Sequence, residues 1–270
     1  MLTLVPTPIG NIADISLRAM DALRDADILL CEDTRVTKKL LHILQERYSL
    51  QRKEQEFISL HSHNESAFIE KVSPSFFEAN VVYVSDAGMP GISDPGQLLV
   101  RYCQDENISY DILPGANALL TAFVASGFIN TQMLFFGFLA HKGKERAQAL
   151  QGALHNGYTT ILYEAPHRLE KLLKELSVEA PERRIFCAKE LTKKYQHYFH
   201  GKPEEILEEL SSTAIKGEWV VVVEAGQARQ SNLSENDVLA LDIPKKTAAK
   251  LISKITGENT KACYQRLLDI

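Results

Sequence analysis

The sequence predicts an α/β fold of two domains with a cleft between them, followed by a small helical C-terminal extension. Eight short apolar runs rich in β-forming residues alternate with segments of helical periodicity, which is the pattern of an α/β protein. A chain of 270 residues, 45% of them hydrophobic, is long enough to bury two cores. The final forty residues show helical periodicity and no strand pattern.

The predicted strands share a high content of Val, Ile, Leu and aromatic residues. They cover residues 2–5, 28–31, 81–84, 110–113, 134–138, 159–163, 184–188 and 219–224. Helices are predicted between them, including one over 16–24 that Ser16 can cap and one over 203–210 with Pro203 in its first turn.

Turn signals divide the chain into three parts. A first α/β domain covers residues 1–115, because Pro114 and Gly115 mark a turn there, and a second covers 116–230. The polar stretch 227–232 is typical of a linker, and the helical extension covers 231–270. Clefts between α/β domains are common ligand sites, so the interface of the first two domains is the expected site.

The extension carries six basic and five acidic residues, whereas the whole chain has a net charge of −5. Its apolar residues recur at helical spacing, at Ala248, Leu251, Ile252 and Ile255. On the opposite face lie Lys246, Lys250 and Lys254. The pattern fits either a solvated surface or a site that contacts nucleic-acid phosphates.

Composition and missing motifs exclude several classes of protein. The four scattered cysteines show no metal-ligand spacing and are expected to be reduced, mostly buried thiols of a cytoplasmic protein. No export signal or membrane span is expected, because no long apolar run occurs. The glycine motifs of dinucleotide-binding domains, P-loop ATPases and α/β hydrolases are also absent from the sequence.

The segment after the third predicted strand, residues 85–96, contains three glycines and two prolines. A backbone-defined loop at the carboxyl end of a strand is where open α/β sheets bind ligands, although a purely structural turn has the same composition. Asp86 at its start is suited to accept hydrogen bonds from an ammonium group. The short loop of residues 114–117 has small side chains that let a ligand approach the backbone closely.

Eight motifs in order resemble the bacterial ribosomal RNA small-subunit methyltransferase I family, a branch of the tetrapyrrole methylase superfamily. They are TPIGN at 7–11, CEDTR at 31–35, HSHNE at 61–65, SDAGMPGISDPG at 85–96, PG at 114–115, YEAPHR at 163–168, ELTK at 190–193 and KGE at 216–218. The resemblance spans nearly the whole chain. It implies a two-domain tetrapyrrole-methylase-like fold, with S-adenosylmethionine held in the interdomain cleft and a homodimer as the assembly.

The resemblance also implies the substrate and the cofactor contacts. The substrate would be the ribose 2'-hydroxyl of a cytidine in the decoding region of 16S ribosomal RNA, presented as RNA or as the 30S subunit. By family analogy the cofactor contacts Ile9, Asp86, Gly88, Met89, Ala116, Asn117, Tyr163, Ala188 and Gly217. The family commonly has threonine where this chain has Met89, which puts only that side-chain contact in doubt.

A ribose hydroxyl reacts poorly while it is protonated, so a nearby base is expected. The candidates are Glu32, Asp33, Glu190 and Lys193, because they follow predicted strands directly. Each has a structural alternative. Glu32 and Asp33 could cap the next helix, and Glu190 and Lys193 could form a surface ion pair.

The remaining polar candidates concern RNA and metal. Arg35 could steer a phosphate, and His167 and Arg168 could orient RNA or simply cap the helix that follows them. His61, His63 and Glu65 have no completing ligand set, so a polar surface segment is favoured over a metal site.

Two other functions compete with the ribosomal RNA methylase. A methylase acting on a tetrapyrrole carbon would share the fold and the cofactor but would not need the basic extension. A non-catalytic RNA-binding module would not bind the cofactor.

Overall fold

The computed structural model describes residues 1–211, 215–227 and 234–268. These residues form two compact units, one of Met1–Leu154 with Tyr158–Gly226 and one of His155–Gly157 with Gln227–Ile270. The linker predicted at 227–232 lies outside the described residues except for Gln227. The division of the α/β part at residue 115 stays a prediction, because both of its sheets fall in the first unit.

The first sheet is built from the N-terminal half of the large unit. Its strands are β1 (Leu2–Leu4), β2 (Ile28–Cys31), β3 (Glu56–Ser59), β4 (Val81–Val84) and β5 (Tyr110–Ile112), and the connecting helices are α1 (Leu17–Asp25), α2 (Thr34–Tyr48), α3 (Glu65–Ile69) and α4 (Gln97–Asp105). The strand order is β3-β2-β4-β1-β5, and every neighbouring pair runs parallel. The carboxyl ends of all five strands therefore meet at one edge.

The second sheet follows helix α5 (Ala118–Ser126). Its strands are β6 (Met133–Phe138), β7 (Thr159–Glu164), β8 (Ile185–Lys189), β9 (His197–Gly201) and β10 (Trp219–Val223), with helices α6 (Gly143–Leu154), α7 (Pro166–Glu179) and α8 (Pro203–Leu210). The order is β6-β7-β10-β8-β9. Strands β6 and β7 pair in parallel, whereas the other neighbours are antiparallel.

The predicted α/β class is confirmed, and each of the eight predicted strands is present. The Ser16 side chain caps α1 by accepting from the Ala19 N–H at 3.0 Å, as predicted. The sequence did not reveal β3 and β9. Both are edge strands that bury little, so their residues lack the apolar run on which strand prediction depends.

The small unit contains α9 (Glu235–Leu239), α10 (Lys245–Thr256) and α11 (Thr260–Leu268). Its core consists of Val238, Ala248, Ala249, Ile252, Cys263 and Leu267. The predicted apolar face of α10 was partly wrong, because Leu251 and Ile255 are exposed and Ala249 is buried instead. The lysines of this helix, at positions 246, 250 and 254, are exposed as predicted.

Two of the exclusions made from the sequence can be compared with the structure. The four cysteines are free thiols, and all of them are buried, as expected. Across residues 1–211, 215–227 and 234–268, no helix combines the length and the hydropathy of a membrane span.

A buried ion cluster holds the second sheet to its helices. The Glu164 side chain at the end of β7 is fully buried and faces the guanidinium groups of Arg146 at 3.4 Å and Arg168 at 3.0 Å. Arg146, itself 2% exposed, also pairs with Glu175 at 2.7 Å. The same two arginines donate to the carbonyls of Leu139 and Ala140, so the cluster fixes the loop that follows β6.

Arg146→Met should destabilise the protein because it leaves the Glu164 carboxylate buried with one partner fewer. We expect the free energy of unfolding to fall by about 3 kcal/mol. Urea denaturation followed by the fluorescence of Trp219, the single tryptophan, measures the change in this sheet. Arg101→Met is the control, since Arg101 is exposed and its nearest carboxylate oxygen, on Asp105, is 3.9 Å away. Equal effects of the two substitutions would contradict the prediction.

Candidate active site

Three loops meet at the carboxyl edge of the first sheet, after β1, β4 and β5. The loops after β1 and β4 are joined by backbone hydrogen bonds in both directions between Thr7 and Gly88, each 3.0 Å long. The buried Thr7 hydroxyl also donates to the Ser85 carbonyl at 3.2 Å. The glycine-rich loop of residues 85–96 is thus anchored at its start against the loop after β1.

Gly88 takes a conformation that other residues rarely adopt. Its φ is +87°, and a Cβ atom there would lie 3.2 Å from Cγ2 of Ile9. The absence of a side chain at this buried position leaves room beside the Ile9 side chain.

A cavity of about 350 Å³ lies between these loops and the second sheet. Most of the residues predicted to bind the cofactor are on its wall: Ile9, Gly88, Met89, Asn117, Tyr163, Ala188 and Gly217. The other two, Asp86 and Ala116, are not among the wall residues in the described part of the chain, but each directly precedes one. The fold therefore gathers segments distant in sequence around one space.

The turn after β8 joins the two sheets at the cavity. Glu190 and Thr192 have positive φ values of 51° and 64°, which give this turn its tight shape. The Thr192 hydroxyl accepts a hydrogen bond from the Asn11 N–H at 3.0 Å, which connects the turn to the loop after β1. At Gly10 a Cβ atom would lie 2.3 Å from Cγ of Lys193, so the two loops are in close contact.

Glu190 and Lys193 hold the loop that precedes β10. The backbone N–H of Glu190 donates to the Glu218 carbonyl at 2.9 Å, and the Glu218 N–H donates to the Glu190 carboxylate at 2.8 Å. The Lys193 ammonium contacts the Glu190 and Glu218 carboxylates at 3.0 and 3.1 Å. Burial opposes ionisation of Glu190, but these donors outweigh it and lower the pKa of its carboxyl group. The ion pair foreseen as an alternative is present.

Three carboxylates follow β2 and β4 and contact one another through the backbone. The Asp33 N–H donates to the Asp86 carboxylate at 3.0 Å, and the Asp86 N–H donates to the Glu32 carboxylate at 3.2 Å. Burial, together with the charge of Glu32, raises the pKa of Asp86. In contrast, hydrogen bonds from Arg35 lower the pKa of Asp33 to about 2. The Asp33 side chain caps α2, which is its structural alternative.

None of the four predicted catalytic residues is on the cavity wall in the described part of the chain, whereas Asp94 is. Partial burial, and then the charges of Glu32 and Asp86, raise the pKa of Asp94 to about 6. Sequence reasoning covered its loop but did not single it out. A carboxylate set among glycines and prolines was the available signal, but burial, which distinguishes Asp94 from Asp86, cannot be read from the motif.

The residues of the large unit that are predicted to contact RNA differ in their exposure and in their partners within the protein. The Arg35 side chain is 89% exposed and pairs with Asp33 at 2.6 Å. His167 is exposed on the first turn of α7. Arg168 is held by Glu164 and donates to the Leu139 carbonyl at 2.6 Å, so its guanidinium serves internal partners.

The histidine segment also has a structural role. The rings of His61 and His63 lie edge to face with centroids 5.9 Å apart. Glu65 is buried and its carboxylate accepts the Gly96 N–H at 2.8 Å. This carboxylate therefore anchors the far end of the loop of residues 85–96, which Thr7 anchors at its start.

Comparisons with known proteins show what the chain is similar to. The family model of the tetrapyrrole (corrin/porphyrin) methylases matches residues 1–207. A Campylobacter fetus protein named ribosomal RNA small subunit methyltransferase I is 46% identical over 99% of this chain and 100% of its own length. A Helicobacter pylori protein of the same name is 44% identical over 100% and 99% of the two chains.

Solved structures share the fold at lower identity. Uroporphyrin-III C-methyltransferase from Thermus thermophilus, solved in complex with S-adenosyl homocysteine, superposes with a TM-score of 0.52 at 15% identity. The match covers 82% of this chain and 96% of the other. At 15% sequence identity, this similarity shows a shared fold and nothing more.

Gly217→Ala tests how tightly the cavity wall is built. Gly217 has a φ of +83°, and a Cβ atom there would lie 2.6 Å from the Glu190 carboxylate. Gly143→Ala is a matched control, because Gly143 has a φ of +76° with nothing within 4 Å. Both variants should lose stability from backbone strain, and Gly217→Ala should lose roughly 1–2 kcal/mol more. Equal losses in urea denaturation would show that the Glu190 side chain moves aside freely.

Proposed function

The chain belongs to the tetrapyrrole methylases and, within them, to the ribosomal RNA small subunit methyltransferase I family, and from this membership we propose that it methylates the 2'-hydroxyl of a cytidine ribose in 16S ribosomal RNA with S-adenosylmethionine. Membership makes the chain a methyltransferase. The observation that carries the proposal is 46% and 44% sequence identity, over nearly the full length of both chains, to two proteins named for ribosomal RNA methylation. The cytidine, the ribose oxygen and the decoding region follow from the resemblance of the motifs.

The residues around the cavity fit S-adenosylmethionine. The cavity volume of about 350 Å³ falls within the range of roughly 300–1,000 Å³ for small-molecule sites. Ile9 and Ala188 give the cavity apolar walls against which an adenosine can lie, and Gly88 adds no side chain to fill the space. Asp86, beside the wall, supplies the carboxylate that an α-ammonium group requires. The fit supports the family-based contacts as our proposal for the binding site.

When bound, S-adenosylmethionine supplies a methyl group already activated on a sulfonium. The protein then has to bind and orient the cofactor and the acceptor and to exclude water, since positioning can supply much of the acceleration of the reaction. We assign orientation to Gly88, Met89, Asn117, Tyr163 and Gly217, which surround the cavity. Through their contacts Glu190 and Lys193 keep the Gly217–Glu218 backbone in place, and Glu32 and Asp33 fix Asp86. A direct catalytic role for these four residues stays a prediction.

The RNA is proposed to contact basic groups on both units. Lys246, Lys250 and Lys254 project from α10 without an acidic residue in that helix. In the large unit, Arg35 and His167 are the exposed members of the predicted set. Phosphate contacts of this kind supply affinity and register, while the base must be recognised elsewhere.

We also propose a homodimer, the assembly that the family resemblance implies, in the cytoplasm, where ribosomal RNA is found. Helix α5 exposes two large apolar side chains, Leu120 at 45% and Val124 at 78% exposure. Ile129, fully exposed, follows the helix. A second copy would cover this surface, because large exposed apolar patches are rare on monomers.

The function is tested by incubating the purified protein and labelled S-adenosylmethionine with 30S subunits or with their RNA. Digestion to nucleosides and mass spectrometry should show 2'-O-methylcytidine. Label on a uroporphyrinogen or precorrin instead would establish the tetrapyrrole methylase. No label and no heat of cofactor binding in calorimetry would leave only the RNA-binding module.

Asp86→Asn should weaken S-adenosylmethionine binding at least 10-fold, because the amide cannot replace the charge opposite the ammonium group. Isothermal titration calorimetry measures the dissociation constant. Asp105→Asn is the control, since Asp105 is exposed at the end of α4. An unchanged constant for Asp86→Asn would place the ammonium group elsewhere.

Val124→Glu should shift the protein from dimer to monomer, because a charge would be buried at the proposed contact. Sedimentation equilibrium measures the mass in solution. Val178→Glu provides a matched control on α7, where the valine is also 78% exposed but lies far along the chain from α5. If both variants remain dimers, α5 is not the interface.

A further inference from the structure

We propose that Asp94 is the catalytic base that removes the proton from the acceptor hydroxyl. The inference rests on the proposed function and assigns a residue that neither the motifs nor the family contacts singled out. Asp94 lines the cavity beside Ser93 and Ile92, at the far part of the loop that begins with Asp86. The two carboxylates of this loop thus occupy different places relative to the cavity.

The environment of Asp94 suits a base and not an ion-pair partner. Within residues 1–211, 215–227 and 234–268, Asp94 forms no ion pair, whereas Asp33, Glu190 and Glu218 are each paired with a cation. The carboxylates whose charges act on Asp94 are Glu32, at the end of β2, and Asp86, in its own loop, and the charge of Asp94 acts in turn on the phenols Tyr83 of β4 and Tyr163 of β7. The Ser85 hydroxyl favours the charged form of Asp94, but this effect is smaller than those that raise the pKa of Asp94.

These neighbours tune the basicity of the carboxylate. Partial burial and the charges of Glu32 and Asp86 raise the pKa of Asp94 to about 6, from an ordinary value of 3.8. A base is most effective when its pKa lies just below the working pH, because it is then both deprotonated and able to take a proton. Asp33, whose pKa is lowered to about 2, is a much weaker base.

The proposed step balances as a displacement. The O–H bond of the ribose breaks and its proton passes to a carboxylate oxygen of Asp94. The freed electron pair of the ribose oxygen forms the new bond to the methyl carbon, and the pair of the broken C–S bond stays on sulfur. Asp94 then loses its proton to water, which restores the carboxylate.

Asp94→Asn tests the step, because the amide keeps the shape of the side chain but cannot take a proton. We expect the rate of label transfer to 30S subunits to fall by about 100-fold or more. The dissociation constant for S-adenosylmethionine should stay within about 3-fold of the wild-type value, as measured by calorimetry. Asp105→Asn, on the exposed end of α4, should leave both quantities unchanged.

The pH profile separates a base from a structural residue. In the wild type kcat/KM for RNA should fall as the pH drops below about 6, because Asp94 becomes protonated there. The residual activity of Asp94→Asn should lack this acid limb. Asp94→Glu, which keeps a displaced carboxylate, should retain the limb at a reduced rate.

Stability provides a readout that does not depend on turnover. Since the pKa of Asp94 is raised on folding, its ionisation costs stability, and the cost grows as pH rises from about 4 to 6 and is complete above that. Asp94→Asn should therefore raise Tm at pH 8 by roughly 3 °C, with a smaller effect at pH 5.

Three outcomes would overturn the assignment. An Asp94→Asn variant that keeps more than a tenth of the activity with an unchanged acid limb removes Asp94 as the base. A loss of cofactor affinity that matches the loss of activity makes it a binding residue instead. A wild-type protein that labels no RNA refutes the proposed function and this inference together, while an active wild type with an active variant refutes the inference alone.

Discussion

The paired backbone hydrogen bonds between Thr7 and Gly88 fix the geometry on which the site depends. They connect the loop after β1 to the loop after β4, whose strands are neighbours in the first sheet. With Gly88 held at a positive φ, the chain turns so that Ile9 and the backbone of the glycine-rich loop face the same space. The carboxylate of Glu65 anchors the loop again at Gly96. A loop held at both ends presents Asp86 and Asp94 in fixed positions.

The parallel arrangement of the first sheet explains why so many carboxylates gather at one edge. The strands β2 and β4 are adjacent and end side by side, so the residues that follow them, Glu32, Asp33 and Asp86, are forced together. Backbone N–H groups satisfy part of their charge. Burial first, and then the remaining repulsion, raise the pKa values of Asp86 and Asp94. Functional sites often retain such repulsion, which lowers the stability of the fold but shifts pKa values into the range that catalysis needs.

Much of this architecture could be predicted from the sequence. The alternation of apolar runs and helices predicted the α/β class, since each run had enough apolar residues to be recognised. The edge strands β3 and β9 could not be found because each has only two adjacent apolar residues, flanked by polar ones. For the small unit, periodicity alone misplaced the buried face of α10 by about one position, because the packing of α11 decides which side is covered.

The candidate site shows where motifs stop being informative. Seven of the residues predicted from the family resemblance line the cavity, because the strand order brings their segments together. The sequence could not show which charged side chains form ion pairs or hydrogen bonds within the protein. Arg168 is committed to Glu164, and Glu190 with Lys193 to the loop before β10. Only tertiary structure separates these from Asp94, which has the same residue type as Asp33 and Asp86 but a different environment.

The acidic edge has a consequence for the substrate. Negative charge from Glu32, Asp86 and Asp94 favours a sulfonium and an ammonium group, but it repels the phosphates of RNA. In the proposed reaction the polyanion is therefore bound by cations elsewhere on the chain, and only the neutral ribose approaches Asp94. Exposed cations that can contact phosphates include the lysines of α10 and the guanidinium of Arg35. A chain with a net charge of −5 can then act on RNA, because the charge that attracts the backbone and the charge that serves the reaction lie on different residues.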